Sequence, residues 1–404
     1  MANGIESKIL IIHEDEFGVY ASGNTKKRIE VTENSVLGKY DYKDPETISG
    51  ELVKAPNIQT KKTVEGGNGI ICAPENGFPE FLKYALGSVT TYAGEFKRER
   101  QTNKTGTFLS VNTIPVTVGS DFVWKKATGG VWTKLTRVVS DPTANQYSIS
   151  IAAGEITLGT AAVSTDEFMI TYCKNVAGVY SHVYRPGTRG SFQVWDTKGG
   201  IELFEFTGCK IDSFKLSINA EDFLQADCSI VSQDDALGSV TGHTFPEELT
   251  LSPLDPFIFK QAKAKLDWVD ETMLEKIDIE IKNNVKARFS IRGADTCRNI
   301  TSGKQEVSIS TELEFVDMTY YNKFRNATFG VLEVVYGLVN GVKIGSTNVT
   351  YQFHIFIPNF RFESADVPTT PDTLVIASEG FANRDAGLGF GYEMVVVNSQ
   401  PAIA

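Results

Sequence analysis

Apolar and polar residues alternate with a period of two along several parts of this chain. The longest alternation covers residues 306–315. One parity holds the apolar residues Val307, Ile309, Leu313 and Phe315. The other parity holds three carboxylates, two hydroxyls and no cation, at Glu306, Ser308, Ser310, Glu312 and Glu314. Because successive side chains of a strand point to opposite faces, this pattern predicts a long strand with one buried face and one acidic, polar face.

Three further segments show the same alternation, at residues 213–219, 224–230 and 276–282. The first two flank a short turn and predict an antiparallel hairpin with one wet face. The polar positions that we single out in the three segments are Ser213, Lys215, Ser217, Asp227, Asp278 and Glu280.

Two short helices are predicted, each following a strand. Pro79 suits the first turn of one helix and Gly87 its end. Asp317 is a good N-cap for the other, which we expect to end near Gly330. The glycine-rich residues 65–69 are predicted to form a loop. Both halves of the chain show the same order of elements: a strand, a glycine loop, a strand, a helix and paired long strands. This order suggests two divergent copies of one unit.

Residues 101–174 carry short strand patterns at a spacing of about ten residues, which is typical of a small all-β sandwich. We therefore expect a mainly β protein with two β-sandwich or barrel domains, each with a short helix, and an inserted all-β domain. The predicted boundaries are an N-terminal arm (1–35, poorly packed), a first domain (36–100 with 175–240), the insert (101–174) and a second domain (241–404).

Composition narrows the possible functions. The formal net charge of −11 over 404 residues argues against a nucleic-acid binder, because phosphate recognition relies on Lys and Arg. The five cysteines form no CxxC pair, so we expect reduced, buried thiols in a protein made in a cytosol. Apolar runs are too short for a signal peptide or a membrane span, and we expect no membrane association.

Candidate catalytic groups are few. The chain has four histidines, and His354 is expected on the surface of its alternating strand. No nucleophile elbow, zinc-protease motif or kinase signature is present. Glu312 and Glu314 could serve as the carboxylate pair of a glycosidase, but neighbouring like charges are typical of a solvated strand face. We expect no enzymatic activity, no cofactor and no metal.

The order of these motifs resembles that of tail tube proteins of long-tailed bacteriophages. The resemblance rests on short segments in sequence order: 11–20 (IIHEDEFGVY), 49–51 (SGE) followed by the glycine-rich stretch and the helix at 79–87, 182–186 (HVYRP), 208–218 (GCKIDSFKLSI), 281–285 (IKNNV), 357–362 (IPNFRF) and 395–399 (VVVNS). The insert resembles small β domains that decorate tail proteins. The doubled unit and the insert make this chain longer than single-domain members.

This resemblance implies a virion protein of the tail, made in the host cytoplasm, whose rings stack into a tube that conducts DNA during ejection. With two tube domains per chain, three copies would close a ring with pseudo-sixfold symmetry; a hexameric ring is the alternative. The expected partners are further copies of the chain, the tape measure protein, the tail terminator and baseplate proteins, with genomic DNA passing without specific binding.

The resemblance also assigns a direction to the polar strand faces. The eleven residues singled out above on the four alternating segments become candidates for facing the lumen, where carboxylates would repel phosphate. A baseplate or receptor-binding β protein of a phage tail remains an alternative function.

Overall fold

The computed structural model describes residues 7–20, 23–43, 57–238, 242–246, 249, 251–337, 341–366 and 375–403. The Ser-Gly-Glu motif at 49–51 lies outside these residues. The fold is mainly β, as the alternation predicted, and the sheets of the described residues do not close into a barrel.

In the part of the chain that the structure describes, the regular structure consists of β-strands, two short α-helices and a 3₁₀ turn at Phe259–Gln261. The helices are α1 (Phe78–Leu86) and α2 (Thr319–Arg325). The strands of the first half are β1 (Lys8–His13), β2 (Lys26–Ile29), β3 (Val31–Asn34), β4 (Leu37–Lys43), β5 (Ile58–Ile71), β6 (Gly87–Ala93), β7 (Glu95–Gln101), β8 (Gly106–Ser110), β9 (Phe122–Lys126), β10 (Trp132–Lys134), β11 (Thr136–Arg137), β12 (Gln146–Ile149), β13 (Glu155–Ala162), β14 (Glu167–Lys174), β15 (Tyr180–Pro186), β16 (Phe192–Lys198), β17 (Glu202–Asn219), β18 (Gln225–Ser232) and β19 (Asp234–Leu237). Those of the second half are β20 (Ala262–Leu266), β21 (Val269–Glu271), β22 (Leu274–Lys282), β23 (Lys286–Arg288), β24 (Asn299–Thr301), β25 (Glu306–Glu314), β26 (Phe329–Tyr336), β27 (Gln352–Asp366), β28 (Val375–Ala382) and β29 (Glu393–Asn398).

One long antiparallel sheet joins the two halves of the chain. In the first half, β3 and β4 both run along β5, and β5 pairs with β18, which pairs with β17. In the second half, β22 pairs with β25, β25 with β28 and β28 with β27. The junction is the pair β17–β22. Each half therefore contributes four strand positions in the same order, and the last position of one pairs with the first of the other.

The buried face of this sheet belongs to a single apolar cluster that also contains α1. Eight of the nine α1 residues are buried. Pro79 lies in the first helical turn, where its missing N–H would have no helical partner in any case. Gly87 follows the helix with φ of 110°, which a residue without Cβ adopts readily. A helix this short is stable because it is packed against the sheet.

The second predicted helix is shorter than expected. It ends at Arg325 rather than near Gly330, and Ala327 then adopts a positive φ of 49° that breaks helical geometry. The Asp317 carboxylate accepts a hydrogen bond of 2.7 Å from the Thr319 backbone N–H, so it does satisfy a donor at the helix start.

Residues 95–174 form two four-stranded sheets around their own apolar cluster. One sheet has the order β10-β9-β14-β7 and the other β11-β12-β13-β8. The side chain of Arg98 on β7 is 2% exposed and forms ion pairs with Glu333 on β26 and Glu393 on β29. Its guanidinium also lies 3.9 Å from the ring centroid of Phe356. Because an unpaired buried charge is costly, these contacts fix the two sheets to the second half of the chain.

Three sequence-based expectations are wrong. The first 35 residues are not all poorly packed, since Ile9–Ile12 of β1 are buried and pair with β16 and β2. His354 is 6% exposed rather than a surface residue, because β7 covers its face of β27: the Phe96 ring meets the imidazole edge-on at 5.5 Å. Burial holds the pKa of His354 well below its usual value. The expectation of buried, unpaired thiols is confirmed, since all five cysteines are free and buried.

The third wrong expectation is the glycine loop at 65–69, which lies inside the 14-residue strand β5. Gly66 allows close packing of backbone against backbone. A Cβ on Gly66 would lie 2.4 Å from the Cα of Val36, on the segment that links β3 to β4. Glycine is required here by the neighbouring chain rather than by a turn.

We expect Gly66→Ala to lower the free energy of unfolding by about 1–3 kcal/mol, because backbone has to move to admit the methyl group. Gly67→Ala is the matched control, since its Cβ would meet nothing closer than the Cys228 carbonyl oxygen at 3.3 Å. Thermal and denaturant unfolding of both variants measure the difference. Equal destabilisation by the two substitutions would contradict this explanation.

Candidate functional site

The eleven polar residues singled out from the sequence lie on one face of four adjacent strands, β18, β17, β22 and β25. Backbone pairing sets Asp227 opposite Lys215, Lys215 opposite Glu280, and Glu280 opposite Ser308. A second row sets Ser217 opposite Asp278 and Asp278 opposite Ser310. The structure therefore brings together residues that are almost 100 positions apart in the chain. We call this surface the polar face.

Each strand of the polar face buries its alternate residues. The burial of β25 alternates strictly from Glu306 to Glu314. On β17 and β22 the residues between the polar positions, such as Leu216 and Ile279, are almost fully buried. Burial of these apolar side chains determines which parity faces solvent, since a shift of one residue would reverse both faces.

The neighbouring strands add residues that were not singled out from the sequence. On β22, Lys276 and Lys282 point to the same face as Asp278. On β28, Glu379 lies opposite Ser310 of β25. The two lysines lie in the alternating segment 276–282, so the sequence pattern by itself places them on this face. The position of Glu379 follows only from the pairing of β28 with β25, which no local pattern reveals.

Ion pairs cross the polar face between strands. Lys215 Nζ lies 3.1 Å from the Asp278 carboxylate, and Lys276 Nζ lies 3.3 Å from that of Glu312. Asp278, and then Glu312, raise the pKa of Lys276 above its usual value. The β25 strand alone holds no cation, but its neighbour supplies one. Exposed pairs of this kind contribute little to stability, about 0–1 kcal/mol each.

The polar face nevertheless keeps an excess of negative charge. Over the strands β18, β17, β22, β25 and β28 it carries three lysines, at positions 215, 276 and 282, against seven carboxylates. The carboxylates are Asp227, Asp278, Glu280, Glu306, Glu312, Glu314 and Glu379. The excess of four negative charges is spread over a wide surface rather than concentrated at one point.

The same surface includes a shallow groove of about 480 Å³ lined by Lys215, Asp278, Glu280, Ser308 and Glu379, among others. Among the described residues, no group of three or more His, Cys, Asp or Glu side chains is arranged to hold a metal ion. The helices of the described residues include none that is long and apolar enough to cross a membrane.

The fold and this face define a mainly β protein with a wide anionic surface. A sequence model of the family "Phage tail tube protein" matches residues 4–381. The chain belongs to that family, and it is a structural protein of the phage tail tube.

Other comparisons add little. No curated protein matches the chain. Among solved structures, an alpha-mannosidase from Enterococcus faecalis aligns at 10% identity over 98% of this chain and 44% of that chain, with a TM-score of 0.07. The chain thus spans less than half the length of that structure. A similarity this low supports no inference about fold or activity.

Proposed function

We propose that three copies of this chain close into a ring, that the rings stack into the tail tube, and that the polar face lines the channel through which DNA passes. The observation that carries the proposal is the β17–β22 junction. It joins two four-strand units head to tail inside one chain, and the same contact can be made again between chains.

The two ends of the long sheet are suited to such a contact. Among the described residues, the segment 31–43 pairs only with β5, and the segment 362–366 of β27 pairs only with β28. These segments occupy the first and last strand positions of the chain's two units. Unpaired edges are prone to uncontrolled association, and closing the sheet into a barrel removes them. A repeated head-to-tail contact closes into a ring when its rotation allows.

The internal junction also suggests the register between chains. In the first unit, pairing aligns Glu33, Gly69, Asp227 and Lys215 in one row. In the second, it aligns Asp278, Ser310, Glu379 and Ser364. Lys215 pairs with Glu280, two residues beyond Asp278. By the same step, Ser364 of one chain pairs with the residue two beyond Glu33 of the next chain, which is Ser35.

Three copies with eight strand positions each would form a barrel of roughly 24 strands, and barrels of 16–18 strands already enclose an aqueous channel. The apolar face of the sheet is covered by α1 and further strands. The polar face therefore faces inward, where its excess of carboxylates keeps DNA hydrated and unbound. The strands of residues 95–174 lie outside the channel, because they are fixed to β26 and β29 through Arg98.

The partners of the tube follow from its place in the virion. The tape measure protein fills the channel before ejection, and the tail terminator and baseplate proteins contact the two ends of the stack. The chain is made in the host cytoplasm and functions in the virion tail without enzymatic activity.

The register predicts that a Ser35→Cys/Ser364→Cys variant forms interchain disulfides on mild oxidation. Ser35 lies on the segment that links β3 to β4, and the proposed register sets it opposite Ser364. Directly opposite residues of antiparallel strands have Cα atoms about 4.5–5.5 Å apart, within the range that a disulfide spans. Non-reducing electrophoresis and native mass measurement of the assembled rings should show covalent trimers. The five native cysteines are buried, which limits background reaction.

The matched control is Lys43→Cys/Ser364→Cys, in which the first cysteine lies eight residues out of register. Equal cross-linking of both pairs would contradict the register. Rings with the mass of six chains would reject the trimer, and a protein that forms no ring at all would reject the proposed assembly.

The proposed lumen predicts that reversing charge on the polar face makes tubes bind DNA. We expect an Asp227→Lys/Glu379→Lys variant, altered at two exposed positions, to assemble normally and to retain double-stranded DNA at least tenfold more than the wild type. Added lysines release counterions from DNA, so the retention should fall as salt rises. Filter binding and electron microscopy of purified tubes measure both properties.

Glu16→Lys/Glu155→Lys provides the same change of charge at exposed positions away from the polar face. Tubes of this control should bind no more DNA than wild-type tubes. If the two variants retain DNA equally, the polar face does not line the channel.

A further inference from the structure

Exposed apolar side chains cluster at both ends of the strands that carry the polar face. At one end, the loops 220–223, 271–275 and 314–318 lie side by side. The Ala220 backbone N–H donates to the Glu275 carbonyl at 3.0 Å, and the Glu314 N–H donates to the Met273 carbonyl at 2.9 Å. The exposed apolar residues of these loops are Phe223, Met273, Val316 and Met318. Val316 is 65% exposed. Contiguous exposed apolar side chains mark surfaces that bind other molecules.

These loops carry charge of one sign. The three segments contain Glu221, Asp222, Glu271, Glu275, Glu314 and Asp317, and they contain no Lys or Arg. Lys260 is one neighbouring cation, since the Phe259 N–H donates to the Asp222 carbonyl. Lys276, which follows Glu275 in the sequence, is another. Glu271 also accepts a hydrogen bond from the Tyr320 hydroxyl. We call this surface the acidic edge.

At the opposite end lie the hairpin segments 37–43 and 57–62 and the loop 284–304 between β22 and β25. The Lys62 N–H donates to the Asp295 carbonyl at 2.9 Å, which holds the hairpin against the loop. A groove of about 880 Å³ between them is lined by Tyr40, Tyr42, Phe289 and Ile291. Ile291 is fully exposed. We call this surface the basic edge.

The charge of the basic edge is opposite to that of the acidic edge. Its segments contain nine cations: Lys39, Lys43, Lys61, Lys62, Lys286, Arg288, Arg292, Arg298 and Lys304. They contain two carboxylates, Asp41 and Asp295. Asp234 and Asp235 form ion pairs with Lys62, and Glu65 forms one with Lys39. With these three neighbours counted, an excess of four positive charges remains.

The two edges are at opposite ends of the same strands. β22 runs from the acidic edge at Leu274 to the basic edge at Lys282, a span of roughly 27 Å at the rise of an antiparallel strand. In a barrel the strands are tilted by about 35–45° from its axis, so their two ends form its two rims. One rim of each ring is therefore acidic and the other basic, and both expose apolar side chains.

We propose that the basic edge of one copy docks onto the acidic edge of a copy in the next ring. The contact buries the exposed apolar residues of both edges, and the complementary charges set the polarity of stacking. Two acidic rims or two basic rims repel each other, so rings add in one orientation. This inference rests on the proposed ring, and it names the residues through which rings stack.

Paired charge reversals test the contact. The Lys286→Glu/Arg288→Glu variant makes the basic edge less positive. The Glu275→Lys/Glu314→Lys variant makes the acidic edge less negative. All four positions are exposed. Each double variant is expected to form rings yet to reduce tube growth at least tenfold at 0.1 M salt. A chain with all four substitutions restores complementarity, and so does an equimolar mixture of the two double variants. Both should recover tubes, as seen by electron microscopy and sedimentation.

The outcomes separate this inference from the proposed ring. Normal tube growth by both double variants would overturn the docking, and so would failure of both the four-substitution chain and the mixture to recover tubes. Absence of rings in the wild-type protein would instead contradict the proposed function. A second measurement needs no variant: wild-type tube growth should weaken as salt rises from 0.1 M to 1 M, because the screening length falls from about 10 Å to 3 Å. Growth that is independent of salt would count against the charged contact.

Discussion

The backbone pairing of β17 with β22 is the contact on which the rest of the molecule depends. It joins two sets of four strands into one antiparallel sheet, with Lys215 opposite Glu280 and Ser217 opposite Asp278. Without this pairing each half would expose a further strand edge, and the polar face would be divided between separate surfaces. With it, the chain presents a continuous sheet whose buried side packs against α1 and whose other side stays wet.

The same constraint connects the fold to membership of the tail tube family. A sheet with two open edges is a hazard for a soluble monomer, but it is a useful property in a subunit that assembles. The internal junction shows that this backbone can pair head to tail with good register over seven residue pairs. The family match over residues 4–381 spans both halves of the sheet and the strands between them. Because the β17–β22 pairing lies within one chain, this contact does not have to form between separate molecules.

Charged residues are distributed differently across the sheet and along its strands. Across the sheet, lysines such as Lys276 are balanced by carboxylates on the next strand, and a moderate negative excess remains. Along the strands, the charge changes sign from Glu275 at one end to Lys286 at the other. In the tube that we propose, negative charge on the polar face suits a surface that DNA passes, and opposite charge at the two ends suits contacts between identical copies.

Local pattern in the sequence determined the strands and their faces, because period-two alternation records which side of each strand is buried. The predicted strand at 306–315 is observed as β25, Glu306–Glu314, with the expected parity. Tertiary structure decided what local pattern does not encode. The glycines at 65–69 lie within a strand because Val36 approaches Gly66, and His354 is buried because β7 covers it. Glu379 joins the polar face through the pairing of β28 with β25, a contact between residues far apart in the chain.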